Sequence, residues 1–196
     1  MASSNEEENF MKQQKLNING PTWLTLFRIF LAVLFLIFIL QPTSEGKIVA
    51  FILFVVASLT DAVDGHWARN KKLVTKLGAF LDPLADKMLV NLAFLALVYL
   101  GIVPVWAFAI ILVRDFVVDG LRMVASETGK TISASPFGKI KTIFQMTTLI
   151  VFLLNFLVSS TFLSLLGNVL LYCALALTIV SGVDYLVTNR SVFKQK

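Results

Sequence analysis

Residues 77–124 read LGAFLDPLADKMLVNLAFLALVYLGIVPVWAFAIILVRDFVVDGLRMV, an apolar run too long for one ordinary helix. The run is interrupted once by a turn sequence, Gly101-Ile102-Val103-Pro104. Glycine and proline interrupt helices, so this turn predicts two helices, over residues 77–100 and 103–124, that fold back on each other. Each is about as long as the roughly 20 residues that a transmembrane helix needs.

Four further apolar stretches have similar lengths, at residues 22–40, 48–67, 140–158 and 162–186. The composition agrees with membrane insertion, since 57% of the chain is hydrophobic and only 15% is charged, whereas soluble domains are about 25% charged. The sequence therefore predicts an all-α, polytopic membrane protein with six transmembrane helices. We expect residues 1–18 to form a polar cytoplasmic tail and residues 19–196 to form one membrane domain.

The basic residues predict the orientation of these helices. Lys and Arg concentrate in segments 1–19, 69–76, 122–141 and 190–196, whereas the three loops on the opposite side contain only Lys47. Because cytoplasmic loops carry the excess of Lys and Arg, both termini are expected in the cytoplasm, with the protein in the plasma membrane. The formal charge of +5 is then explained by orientation and anionic lipid, and no nucleic-acid partner is expected. The single cysteine, Cys173, cannot form an internal disulfide.

Four acidic residues lie at the predicted inner ends of the second and third spans: Asp61, Asp64, Asp82 and Asp86. Carboxylates are unfavourable in a membrane helix, so something must compensate them. The spacings of three and four residues place each pair on one helix face. Oxygen ligands without His or Cys suit Mg²⁺, Mn²⁺ or Ca²⁺, and four carboxylates could hold two ions. The alternative is that they pair with Arg69 and Lys87 on a solvated loop.

The residues between the two acidic pairs suit a phosphate ligand. Gly65, Ala68 and Gly78 are small enough for a ligand to approach the backbone, and Arg69 can contact phosphate oxygens in a bidentate manner. Each of these residues has an ordinary packing explanation when it is taken alone. His66, the only histidine, is interpreted as an interfacial residue.

The segment Asp61-Ala-Val-Asp64-Gly65-His-Trp-Ala68-Arg69, followed after eight residues by Gly78-Ala-Phe-Leu-Asp82-Pro-Leu-Ala-Asp86, resembles the signature of the CDP-alcohol phosphatidyltransferases. Eight fixed positions match over 26 residues, with every spacer length kept. This resemblance implies six transmembrane helices, two divalent cations (Mg²⁺ or Mn²⁺) on the four aspartates, and a homodimer.

The resemblance also implies roles for individual residues. Asp86 would be the catalytic base that deprotonates the acceptor hydroxyl. CDP-diacylglycerol would contact two groups of residues. The first is the signature itself: Asp61, Asp64, Gly65, Ala68, Arg69, Gly78 and Asp82. The second lies in the stretch from Asn19 to Arg28, which is similar to the family's Pro-x-x-x-Thr-x-x-Arg pattern: Pro21, Thr25 and Arg28.

Two later segments, RDFVVDGLR (114–122) and GKIKT (138–142), are similar to those of family members whose acceptor is glycerol 3-phosphate. The acceptor phosphate would bind Arg114, Arg122, Lys139 and Lys141. The commoner form of the first segment has Glu where this chain has Asp115 and Thr where it has Asp119. The second difference adds an anion close to the proposed phosphate site.

Other functions are compatible with parts of this pattern. Within the family, the acceptor could instead be inositol phosphate, serine or phosphatidylglycerol, although the basic residues favour a phosphorylated acceptor over serine. From another class, a cation channel or transporter could use the aspartates as ion sites. A purely structural membrane protein would leave the aspartates uncompensated.

Overall fold

A computed structural model describes residues 20–71, 76–127 and 135–189. Within these ranges the chain is entirely helical, without a β-strand, and forms six α-helices. They are α1 (Gly20–Ile39), α2 (Ser44–Lys71), α3 (Lys76–Tyr99), α4 (Val105–Glu127), α5 (Pro136–Val158) and α6 (Thr161–Thr188). The predicted all-α class is confirmed, and each predicted helix boundary lies within four residues of the observed one. The predicted tail at residues 1–18 lies outside the described residues.

The turns between helices follow from the local sequence. Gly101 has a φ of +73°, which lets the chain reverse between α3 and α4. Helices α5 and α6 are joined by Ser159 and Ser160 alone. Ser159 adopts the left-handed conformation, with a φ of 51°, and the Asn155 side chain accepts a hydrogen bond from the Ser160 amide at 2.9 Å. This side-chain bond supports the strained turn, so α5 and α6 form a tight antiparallel hairpin.

The helices pack into two connected groups. Helix α1 packs on α2 and α3, with the buried rings of Phe35 and Phe54 5.7 Å apart, and α2 contacts α5. Helix α6 packs along α5 and also contacts α4. A Cβ atom at Gly167 would lie only 2.5 Å from the Phe152 ring, so this glycine permits the close approach of α5 and α6.

Large apolar side chains cover much of the outer surface. Phe116 on α4 and Phe162 on α6, for example, are 68% and 70% exposed. An apolar surface of this extent is unstable in water and suits contact with lipid. Within the described residues, α5 and α6 are both long and apolar enough to cross a bilayer, and shorter apolar stretches lie at Thr25–Ile39 and Lys87–Tyr99.

Candidate functional site

A polar cleft of about 290 Å³ opens where α3, α4, α5 and α6 meet. Among the described residues that line it, five are cationic and two are carboxylates. The charged lining residues are Lys87, Arg114, Asp115, Asp119, Arg122, Lys139 and Lys141. The uncharged polar ones are Asn91, Ser135, Thr142, Gln145 and Tyr185. These described residues give the cleft a formal excess of three positive charges, which suits a doubly charged anion.

Helical periodicity explains why these residues share one cavity. Residues four apart lie on one helix face, and α4 turns Arg114, Val118 and Arg122 toward the cleft in this way. On α5, Lys141 and Gln145 have the same relationship. The polar stripes of the two helices face each other, which keeps the charges away from the apolar outer surface.

Asp115 links α4 to α5 in the wall of the cleft. Its Oδ1 atom accepts hydrogen bonds from Lys141 Nζ at 2.5 Å and from Arg114 Nη1 at 3.1 Å. The Asp115 and Lys141 side chains are only 13% and 5% exposed. A charge this deeply buried is unfavourable without a partner, so Asp115 compensates both cations and fixes their positions.

Helix α6 holds the two arginines of α4. Arg114 Nη2 donates to Ser181 Oγ at 3.0 Å, and Arg122 Nε donates to Tyr185 Oη at 2.9 Å. The Arg122 guanidinium also lies 5.5 Å from the centre of the Tyr185 ring, within the range of a cation–π contact. Both arginines are therefore oriented before any ligand arrives.

Lys87 and Asp119 form an ion pair across the cleft, from α3 to α4. Lys87 directly follows Asp86 in the sequence. Asp119, which replaces the Thr of the commoner 114–122 segment, is thus paired with a lysine of the neighbouring helix α3. Because both side chains are more than a third exposed, the pair stabilises the fold only weakly.

The first turn of α5 forms part of the cleft wall. Ser135 caps the helix, its hydroxyl accepting from the Gly138 amide at 3.1 Å, and Pro136 begins the helix. A Cβ atom at Gly138 would lie 3.7 Å from Arg114 Nη2, so the long arginine side chain of α4 reaches the first turn of α5. The partial positive charge of a helix N-terminus adds to that of the cations beside it.

The four residues predicted to bind the acceptor phosphate all line this one cleft: Arg114, Arg122, Lys139 and Lys141. Arg122 and Lys139 are exposed at its rim, whereas Lys141 is buried deeper. Their spatial proximity is an observation, and their role as phosphate ligands remains a prediction. Sequence reasoning did not include Lys87, Asn91, Gln145 or Tyr185, because their spacing resembles ordinary helix packing.

The signature aspartates lie on two helices that are neighbours in sequence. Asp61 and Asp64 fall within α2, and Asp82 and Asp86 within α3. Their side chains lie outside the described residues, as do those of Ala68, Arg69 and His66, and Gly65 and Gly78 are described only as helix backbone. Because both pairs lie in helices, their spacings of three and four residues place each pair on one helix face. A set of four carboxylates fits divalent cations such as Mg²⁺ or Mn²⁺. In the part of the chain with described side chains, no other cluster of His, Cys, Asp and Glu could hold a metal.

The predicted nucleotide contacts of α1 are placed only in part. Thr25 and Arg28 are buried, at 2% and 4% exposure, and neither lines the cationic cleft. The side chain of Pro21 lies outside the described residues. The contact of these three residues with CDP-diacylglycerol remains a prediction.

Comparison with known proteins extends the resemblance to most of the chain. The sequence profile described as CDP-alcohol phosphatidyltransferase matches residues 18–180. A protein of Bacillus subtilis (strain 168) named CDP-diacylglycerol–glycerol-3-phosphate 3-phosphatidyltransferase is 38% identical over 188 residues, covering 90% of this chain and 97% of that protein.

Two further bacterial proteins are similar to this chain. One of Rickettsia bellii (strain RML369-C) with the same name is 35% identical over 180 residues, covering 91% of this chain and 99% of its own length. One of Mycobacterium tuberculosis (strain CDC 1551 / Oshkosh), named probable phosphatidylglycerophosphate synthase, is 37% identical over 165 residues, covering 83% of this chain and 77% of its own length.

Proposed function

Because this chain belongs to the CDP-alcohol phosphatidyltransferase family, we propose that it is a phosphatidylglycerophosphate synthase. It transfers the phosphatidyl group of CDP-diacylglycerol to glycerol 3-phosphate, and the products are phosphatidylglycerol phosphate and CMP. The observation that carries the choice of acceptor is the cleft between α3, α4, α5 and α6, whose excess of positive charge matches a phosphate dianion.

The reaction is a phosphoryl-type transfer in which positioning and electrostatics supply most of the rate enhancement. The primary hydroxyl of glycerol 3-phosphate attacks the β-phosphorus of CDP-diacylglycerol. A bond forms between that oxygen and phosphorus, the bond to the bridging oxygen of the pyrophosphate breaks, and CMP leaves with the electron pair. Asp86 takes the proton of the attacking hydroxyl.

Asp61, Asp64, Asp82 and Asp86 would hold two divalent cations, Mg²⁺ or Mn²⁺. Bound there, the cations would supply positive charge that stabilises the pyrophosphate and the departing CMP. Arg69 and the small residues Gly65, Ala68 and Gly78 would lie beside the cytidine and pyrophosphate of the same substrate. Pro21, Thr25 and Arg28 of α1 would complete the nucleotide site.

The acceptor would bind in the cleft between α3, α4, α5 and α6. Its phosphate would contact Arg114, Arg122, Lys139 and Lys141, because these cations converge on one cavity. The bonds of Arg114 to Ser181 and of Arg122 to Tyr185 orient the two guanidinium groups in advance. Preorganised cations of this kind lose little freedom when an anion binds.

The membrane arrangement proposed here has all six helices spanning the bilayer and both termini in the cytoplasm. The acyl chains of CDP-diacylglycerol would stay in the inner leaflet of the plasma membrane, and glycerol 3-phosphate would reach the cleft from the cytoplasm. The apolar outer surface of the helices supports this arrangement. A homodimer is the expected assembly.

The proposal is tested with purified protein in detergent–lipid micelles that contain CDP-diacylglycerol. CMP release is measured with glycerol 3-phosphate, inositol phosphate, serine or phosphatidylglycerol as the acceptor, each with and without EDTA. We expect rapid turnover with glycerol 3-phosphate alone, loss of turnover in EDTA, and recovery when Mg²⁺ or Mn²⁺ is restored. Faster turnover with inositol phosphate than with glycerol 3-phosphate would contradict the assigned acceptor.

A further inference from the structure

Three buried polar atoms in the cleft wall have no hydrogen-bond partner among the described residues. They are Gln145 Nε2, Asn91 Oδ1 and Arg114 Nε. The Gln145 side chain is almost completely buried, at 2% exposure. Buried polar groups in folded proteins are nearly always hydrogen-bonded, so three such atoms without partners, on residues that line one cavity, point to a ligand that supplies them.

The two amides occupy equivalent places on their helices. Gln145 follows Lys141 by one turn of α5, and Asn91 follows Lys87 by one turn of α3. All four side chains line the same cleft. Each helix therefore presents a cation and, one turn further along, an uncharged amide. A ligand that fills the cleft would meet both kinds of group.

The chemistry of the three atoms restricts the ligand. Gln145 Nε2 and Arg114 Nε are donors, whereas Asn91 Oδ1 is an acceptor. A fully ionised phosphate can accept from the two donors but offers no proton to Asn91. A hydroxyl group can donate to Asn91 and accept from Gln145 at the same time. A molecule with both a phosphate and a hydroxyl group would satisfy all three atoms and the surrounding cations.

We propose that Asn91 and Gln145 bind the hydroxyl group on the central carbon of glycerol 3-phosphate and so select a hydroxylated acceptor. This inference rests on the proposed function. The phosphate of the acceptor contacts the basic side chains of the cleft. The primary hydroxyl of the acceptor must remain available for attack on phosphorus. The central hydroxyl is the remaining polar group of the acceptor. Among the described residues that line the cleft, Asn91 and Gln145 are the uncharged side chains that have a buried polar atom without a partner.

The matched probe is 3-hydroxypropyl phosphate, which has the primary hydroxyl and the phosphate of glycerol 3-phosphate but no central hydroxyl. The ratio of kcat/KM for the two acceptors is measured by CMP release at saturating CDP-diacylglycerol. We expect the wild-type protein to prefer glycerol 3-phosphate by about tenfold or more, because the probe leaves both amides unsatisfied. In Asn91→Leu and Gln145→Leu the ratio falls toward one, and the KM for CDP-diacylglycerol is unchanged.

Two substitutions outside the cleft are the controls. Asn168→Leu removes an amide of α6 that donates to the Ser164 carbonyl, and Gln41→Leu removes an exposed amide beside α1. Both should keep the wild-type ratio. Alanine at positions 91 and 145 repeats the test with a smaller side chain. Asn91→Asp keeps an acceptor oxygen but adds a negative charge. This variant should still prefer glycerol 3-phosphate over 3-hydroxypropyl phosphate, and it should bind both acceptors more weakly.

The possible outcomes separate the inference from the proposed function. If the wild-type protein uses glycerol 3-phosphate but shows no preference over the probe, the inference is wrong and the proposed function stands. The same holds if the leucine and alanine variants keep the wild-type ratio. If the wild-type protein releases no CMP with either acceptor but does so with inositol phosphate or serine, the proposed function itself fails.

Discussion

Lys141 Nζ lies 2.5 Å from Asp115 Oδ1, although the two residues are 26 positions apart and belong to different helices. The same carboxylate oxygen also accepts from Arg114. One acidic side chain thus holds two of the cations that face the proposed acceptor. It fixes their geometry and limits their mutual repulsion.

Removal of this carboxylate should destabilise the protein. In Asp115→Ala, Lys141 and Arg114 remain buried without their shared partner, and we expect a loss of about 3–5 kcal/mol in the free energy of unfolding. Thermal or denaturant unfolding in detergent measures the loss. Asp184→Ala on α6, which does not line the cleft, should change stability by less than about 1 kcal/mol.

A double-mutant cycle tests whether the effect belongs to this pair. If Asp115 acts through Lys141, the combination of Asp115→Ala with Lys141→Met should destabilise the protein less than the sum of the two single changes. Effects that add within about 0.5 kcal/mol would show that the two side chains are energetically independent.

The ion pair between Lys87 and Asp119 should tune substrate affinity more than stability. Asp119→Asn removes one negative charge from the cleft, so the KM for glycerol 3-phosphate should fall about fivefold at low ionic strength, equivalent to about 1 kcal/mol. Because salt screens exposed charges, the difference should shrink in 0.5 M KCl, where the Debye length is only a few ångströms. Stability should change by less than about 1 kcal/mol. An unchanged KM at low salt would show that Asp119 does not influence the acceptor.

The proposed catalytic base is tested by Asp86→Asn. The amide keeps the size of the carboxylate but cannot accept a proton from the attacking hydroxyl, so kcat should fall by about 10²–10⁴-fold. Binding of CDP-diacylglycerol, measured with a non-reactive analogue, should persist. Near-normal kcat in this variant would rule out Asp86 as the base, and Asp184→Asn is the matched control.

The contact of Gly167 with Phe152 predicts a strong effect of one added methyl group. Gly167→Ala places a carbon atom about 2.5 Å from the buried ring, and such overpacking typically costs about 1–3 kcal/mol. Gly120→Ala is the control, because a Cβ atom at Gly120 meets nothing within 4 Å and alanine favours a helix. Equal unfolding temperatures for the two variants would contradict the close packing of α5 and α6.

The sequence predicted the helices more completely than the site. Long apolar stretches and the turn at Gly101 depend on local chemistry, so the helix boundaries could be read within a few residues. The basic residues of the cleft were found because a charge such as Arg114 is conspicuous in an apolar span. Asn91 and Gln145 were missed, since a single amide in a helix has no distinctive spacing. The two residues line one cavity only because helices from distant parts of the chain enclose it.

The pairing of Asp115 with Lys141 was likewise beyond sequence reasoning. Either residue could have found a partner on its own helix or in solvent. The distance between them is determined by how α4 and α5 each pack against α6, which no local pattern encodes. The pairing of Asp119 with Lys87 was hidden for the same reason, because this lysine belongs to α3.

The two-residue connection at Ser159 and Ser160, together with the close contact at Gly167, makes α5 and α6 a stiff unit. Lys141 and Gln145 on α5 therefore keep fixed positions relative to Ser181 and Tyr185 on α6. Helix α4 is joined to the same unit by the hydrogen bonds of Arg114 to Ser181 and of Lys141 to Asp115. Three of the helices that enclose the cavity therefore form one frame, and a substrate that enters meets cations whose relative positions are already set.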